Sequence, residues 1–132
     1  MIEKIAIRLL SLKSQSSCEL RKKLTRKGFS TQEIDPVLEK YTRLGYLNDA
    51  DLTKRRSEAY KKKGYGPHWI TGKLRQQGLR PPPYPLEEQK ANIAKLLGTA
   101  AFLKKNSSQQ LSALQRRGFD LQAILDTIQI EY

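Results

Sequence analysis

Gly28-Phe29-Ser30-Thr31-Gln32-Glu33-Ile34 returns near the other end of the chain as Gly118-Phe119-Asp120-Leu121-Gln122-Ala123-Ile124. Each copy has a glycine that can take the left-handed C′ conformation, an apolar residue directly after it, and a helical pattern restarting two residues on. Counting from the stop glycine extends the match. Leu24, Leu74 and Leu114 sit four residues before Gly28, Gly78 and Gly118, while Phe29, Leu79 and Phe119 sit one after. Ile34 and Ile124 share the sixth position beyond it, Leu38 and Ile128 the tenth. Repetition at spacings of 50 and 40 residues predicts an array of helical units rather than one globule.

Working outward, the flanking segments read with helical periodicity. Ile2, Ile5, Ala6, Leu9 and Leu12 form the apolar stripe of a first helix. Ser16 and Glu19, then Ser30 and Glu33, have the spacing of a capping box, so Glu19 is read as a cap rather than a general acid. Leu20 and Leu24 line a second helix that stops at Gly28. Ile34, Val37, Leu38, Tyr41 and Leu44 line a third, with Pro36 near its start, that ends at Gly45. Asn48 caps a helix over roughly Asp49–Lys63. Gly64-Tyr65-Gly66-Pro67 turns into a helix holding Trp69, Ile70 and Leu74 inward. Its two glycines are read as allowing backbone geometries closed to other residues.

Where the second unit's third helix should begin stands Arg80-Pro81-Pro82-Pro83-Tyr84-Pro85, which must be extended. Helical pattern resumes near Leu86 and runs to about Leu103. It fits either one long helix or a short helix merging into the next, interrupted at most at Gly98. The predicted division is a first repeat at 1–46, a second at 47–85 ending in the proline-rich linker, and a third, shortened or merged, at 86–132.

The 25 Lys and Arg outnumber the 13 Asp and Glu, giving a net charge of +12. Such a balance favours nucleic acid, an acidic protein groove or an anionic membrane as partner. No apolar run approaches the roughly 18 residues of a membrane span, and the N-terminus lacks a long apolar signal core. Cys18, without an intrachain partner, points to the reducing cytoplasm and is read as a small buried or half-buried residue. His68 has no Cys or His at ligand spacing, so no metal site is expected. No phosphate loop, dinucleotide fingerprint, paired carboxylates or nucleophile motif is present, so no cofactor and no catalytic residue is assigned.

What the charges offer is a binding surface. Lys22, Lys23, Arg26 and Lys27 stand on the outer side of the helix that buries Leu20 and Leu24. Lys54, Arg55 and Arg56 precede Lys61, Lys62 and Lys63; Arg75, Arg80, Lys104, Lys105, Arg116 and Arg117 follow. Any one run is ordinarily a solvated face. Recurrence in successive units predicts a shared basic surface; the glycine loop is read first as a structural turn with Trp69 in the core, and otherwise as a contact loop offering Tyr65 and His68.

Three motifs in register resemble the RecX family of recombinase regulators. They are Arg8-Leu9-Leu10-Ser11 with Ser17-Cys18-Glu19-Leu20-Arg21-Lys22-Lys23-Leu24 and Lys27-Gly28-Phe29; Leu44-Gly45-Tyr46-Leu47-Asn48-Asp49; and Lys63-Gly64-Tyr65-Gly66-Pro67 with Ile70, Leu74 and Gly78. Asn48 stands where the family has an aspartate, and Leu52 where an aromatic is usual. The resemblance implies an all-α fold of tandem three-helix repeats forming an elongated, curved helical array. It also implies a monomeric, non-enzymatic cytoplasmic protein that lies in the groove of a RecA–single-stranded DNA filament. There it would hold back ATP hydrolysis and strand exchange in the SOS-linked regulation of DNA repair. The alternative is an autonomous basic helical nucleic-acid-binding protein, for which Lys73-Leu74-Arg75-Gln76-Gln77 is the nearest approach to a recognition helix.

Overall fold

The computed structural model describes residues 1–128, which contain nine helices and no strand. These are α1 (Ile2–Leu12), α2 (Ser17–Arg26), α3 (Thr31–Arg43), α4 (Asp49–Lys62), α5 (Pro67–Gln76), α6 (Leu86–Leu97), α7 (Ala100–Leu103), α8 (Ser107–Arg116) and α9 (Leu121–Thr127). They belong to two compact units. The first takes Met1–Arg55 with Leu74–Arg80; the second takes Arg56–Lys73 with the chain from Pro81 onward.

The offset pattern has a local cause. After α2 the amide of Gly28 donates to the Thr25 carbonyl and that of Phe29 to the Leu24 carbonyl. This is the paired 5→2 and 6→1 bonding of a Schellman motif, and Gly28 sits at φ 96°. The same two bonds recur at Gly45, Gly64, Gly78 and Gly118, all at positive φ. The residue four before such a glycine and the residue one after it are brought together by the motif, so both are apolar. Leu24, Leu74 and Leu114 are fully buried, and Leu79 and Phe119 nearly so. Truncating such a leucine to alanine costs about 2–5 kcal/mol.

In the first unit Ala6, Leu20, Leu24, Ile34, Val37, Leu38, Tyr41 and Leu47 form the core, with Ile2, Ile5, Leu9, Leu10 and Phe29 packed around it. Ser16 and Ser30 both make the full capping box with Glu19 and Glu33. Two expected core residues lie outside. Leu12 is exposed because α1 ends there and Lys13 is extended. Leu44 is exposed because α3 ends there, and the inward place passes to Leu47, whose amide donates to the Tyr41 carbonyl. The start of α2 is pinned by the Ser16 hydroxyl donating to the Gln77 carbonyl at 2.6 Å and the Ser17 amide donating to Asp49. Cys18 is half-buried against Gly78, where a β-carbon would collide with its own. A small residue is required there.

In the second unit Ile93, Phe102, Ala113, Leu114, Phe119, Ala123, Ile124 and Ile128 form the core. The chain breaks between α6 and α7 after Gly98, because Thr99 takes an extended ψ of 155° as the N-cap of α7. That settles the alternatives in favour of two helices. The four residues of α7 serve mainly to set Phe102 into the core. Asn106 and Gln109 form a further capping box at α8. The proline segment is extended as expected, with Pro85 at φ −63° and ψ 152°. Tyr84 anchors it: its ring meets Phe119 edge-on, its carbonyl accepts from the Gln89 amide and its hydroxyl from Asn92 at 2.6 Å. Burial pushes the Tyr84 phenol above its ordinary pKa.

At α9 the reciprocal cap comes from another helix. Asp120 stands at the N-cap, but Ala123 occupies the place that Glu33 fills after Ser30. Gln89 of α6, almost fully buried, supplies the missing group. Its amide donates to the Asp120 carboxylate at 2.8 Å and its carbonyl oxygen accepts from the Asp120 amide at 3.1 Å.

Lys90 of α6 ties the same two helices through Asp126 at 3.0 Å and also reaches Glu87. The hydrogen bond from Lys90 holds the Asp126 carboxyl below the usual carboxylate range, and the bond to Asp126 raises the Lys90 ammonium. A carboxyl whose pKa is lower in the folded state stabilises the fold above its unfolded pKa, and that contribution fades as pH falls through the folded value. Asp126→Asn is therefore expected to lower the urea midpoint at neutral pH and to flatten its decline as pH falls below the ordinary aspartate pKa of about 4. Parallel acid profiles for the two proteins would contradict this.

Candidate basic binding surface

The α2 helix buries Leu20 and Leu24 completely, which fixes the direction of its cations. Successive residues are rotated by about 100°, so Lys22 and Arg26 fall on the side away from that row. Lys23 and Lys27 flank it; Lys23 is half-buried and Lys27 exposed. Arg21 is committed to Asp35 at 2.6 Å. Lys22, Lys23, Arg26 and Lys27 have no ion pair among the described residues. Lys27 also borders an apolar depression lined by Ile5, Arg8, Leu9 and Leu12. Elsewhere in the first unit Lys54 and Arg75 are exposed, whereas Arg55 pairs with Asp51 at 2.8 Å.

The second unit divides its cations more sharply. Lys61 is not a solvent-facing charge: its side chain is 10% exposed, paired with Glu88 at 2.8 Å and Glu58 at 3.6 Å. Its ammonium lies 4.5 Å from the centre of the Tyr84 ring. Arg117 is likewise turned inward, donating to the Lys63 and Gly64 carbonyls at the end of α4 and covering Phe102. Both are structural groups. Lys62 and Lys63 are exposed beside them. Lys62 shares with Lys61, Glu58, Glu88, Asn92 and Lys95 a cleft of about 620 Å³ in which both charge signs are present. Arg116, by contrast, shares a depression with Lys104 and Lys105 and no carboxylate.

The glycine loop docks on the turn after α8. The Gly66 amide donates to the Arg117 carbonyl at 2.7 Å, and the His68 amide to the Gly118 carbonyl at 2.9 Å. Gly66 does not have positive φ; it must be glycine because a β-carbon would collide with the Phe119 and Gly118 backbone. Of the two loop glycines only Gly64 needs the left-handed region. Tyr65 stacks on Trp69 with ring centres 3.6 Å apart, and Tyr60 meets Trp69 edge-on. Trp69 is thus half-buried in an aromatic layer rather than in the apolar core. His68 is exposed, and its Nε2 lies 2.5 Å from an Asp120 carboxylate oxygen.

Lys95, Ser108, Gln109 and Ser112 also line the hollows of the second unit, although none belongs to a charged run. Ser108, Ser112 and Arg116 recur every four residues along α8, a spacing visible in the sequence. Among the described residues no group of three His, Cys, Asp or Glu is placed to hold a metal, and no helix is long and apolar enough to cross a membrane.

A family model described as RecX, first three-helix domain, matches residues 4–40. The regulatory protein RecX of Vibrio vulnificus is 30% identical over 130 residues, a match covering 90% of this chain and 85% of that protein. The regulatory protein RecX of Pelodictyon phaeoclathratiforme is 38% identical over 78 residues, covering 56% of this chain and 47% of that protein. With several such relatives the matched stretch spans about half of the relative's length. The crystal structure of RecX from Lactobacillus salivarius superposes with a TM-score of 0.75 at 18% identity, covering 96% of this chain and 91% of that one. That likeness extends the shared helical fold across the described chain.

Proposed function

The chain belongs to the RecX family of regulatory proteins, and from that premise we propose that it binds filaments of a RecA-type recombinase on single-stranded DNA and restrains their ATPase and strand exchange. The observation that carries this reading is the set of cations on α2. Lys22 and Arg26 face away from the fully buried leucine pair of α2 and Lys23 and Lys27 flank it; all four lack carboxylate partners among the described residues and belong to a chain of net charge +12. Uncompensated charges on a rigid helix repel one another in the free protein. A polyanionic partner removes that repulsion and releases counterions.

The protein acts as a monomeric binding protein of the cytoplasm, without catalysis or cofactor. Its three repeats, 1–46, 47–85 and 86–132, give it successive contacts along the filament. Lys54, Arg75, Lys62, Lys63 and Arg116 supply further charge, and Tyr65 and His68 lie in the loop that follows Lys63. Inhibition follows if the protein binds the inactive filament state more tightly than the active one, since only differential affinity shifts a two-state equilibrium.

Cosedimentation tests the reading. With recombinase, single-stranded DNA and a non-hydrolysed nucleotide, the chain is expected to pellet with assembled filaments at concentrations where naked DNA retains little of it. Equal or tighter retention by naked DNA would favour an autonomous nucleic-acid binder instead.

A further inference from the structure

Along α8 the residues Ser108, Ser112 and Arg116 are four apart and so share one face, while Ala113 and Leu114 are directed into the core. Ala101, Lys104 and Lys105, from α7 and the turn after it, border the same depression of about 540 Å³. Its lining combines small side chains with three long cations and holds no carboxylate. Lys105 is half-buried, yet none of Lys104, Lys105 and Arg116 has an ion pair among the described residues. The other cations of this unit with defined partners are satisfied internally. Lys61 and Lys90 have carboxylates and Arg117 has carbonyl oxygens. Here the positive charge is left facing a concavity whose remaining polar groups are two hydroxyls and an amide.

We propose that this depression is a phosphodiester site that seats the backbone of a single nucleic-acid strand. Lys104, Lys105 and Arg116 neutralise its phosphates; Ser108 and Ser112 donate hydrogen bonds to them. The small residues in the lining let the backbone approach the cations. An acidic peptide is anchored by apolar side chains in pockets, and the lone apolar lining residue, Ala101, provides none. The site deepens the filament reading by naming what this unit touches, and rests on it for the origin of the strand.

The test is fluorescence anisotropy with a labelled oligo-dT and no recombinase, between about 50 and about 200 mM salt. Each single-strand phosphate neutralised adds about 0.7 to the slope of log affinity against log salt. K104A/K105A/R116A is therefore expected to reduce the wild-type slope by about 2 with circular dichroism unchanged. S108A/S112A is expected to weaken binding without changing the slope, because hydroxyls release no counterions. Should the triple variant unfold, K104Q/K105Q keeps the aliphatic stems and is expected to reduce the slope by about 1.4. A folded variant with the wild-type slope overturns the site, as does tighter binding of the wild type to a polyglutamate of equal charge. The two readings fail separately. A reduced slope beside wild-type protein that ignores filaments supports the site and removes the filament; an unchanged slope beside intact filament binding does the reverse.

Discussion

Gly66→Ala is expected to destabilise the second unit by about 3 kcal/mol, the upper range for overpacking, because the added carbon meets main chain on every near side. A β-carbon there would collide with the Phe119 amide and lie 2.5 Å from the Gly118 carbonyl carbon. Neither can swing aside as a side chain would, since both belong to the turn that ends α8. Moving that turn would lengthen the 2.7 Å bond from the Gly66 amide to the Arg117 carbonyl and the 2.9 Å bond from the His68 amide to the Gly118 carbonyl. It would also draw Arg117 from the carbonyls of Lys63 and Gly64, at 3.3 and 3.4 Å. Gly72 is the internal control: it lies inside α5 with open space around it. Gly72→Ala is expected to stabilise by about 0.5–1 kcal/mol, the helix-propensity gain of alanine. Opposite shifts of the melting temperature would bear out the close approach. A Gly66→Ala protein that melts like wild type would contradict it.

Reversing charge at Lys22 and Arg26 is expected to raise the concentration needed for half-inhibition of the recombinase ATPase by roughly 30- to 100-fold. Each attraction lost across a wet interface is worth about 1 kcal/mol, and the repulsion created adds part of the same again after screening. Because Leu20 and Leu24 carry the packing, the thermal transition of K22E/R26E should stay close to that of wild type. Unchanged inhibition by a folded variant would remove α2 from the interface. Lys61 is unsuited to the same experiment. A glutamate there would join Glu58 and Glu88 where the ammonium now neutralises both, so any lost activity would report damage to the fold. Lys62 and Lys63 are the informative pair in that run.

These contrasts show what local sequence encodes. The leucines four before Gly28, Gly78 and Gly118 and the apolar residues one after them were legible because one turn of backbone places both. The Ser16–Glu19 and Ser30–Glu33 caps were legible for the same reason. What escaped depends on residues distant along the chain. Nothing near Gly66 announces that the Phe119 backbone lies against it, nor near Asp120 that Gln89 completes its cap. Lys61 and Arg117 read as surface charges until Glu88 and the end of α4 stand beside them. Counting cations finds candidates; their partners decide which remain available. The row of Ser108, Ser112 and Arg116 was readable but hidden, since its significance depends on Lys104 and Lys105 lining the same hollow.

The most direct test of the central proposal is ATP hydrolysis by a preassembled recombinase–single-stranded DNA filament, titrated with the wild-type chain at low and at moderate salt. Inhibition that saturates at a fixed ratio of chain to recombinase, and weakens steeply as salt rises, is the expected result. Hydrolysis that continues undiminished at every ratio and at low salt would contradict it.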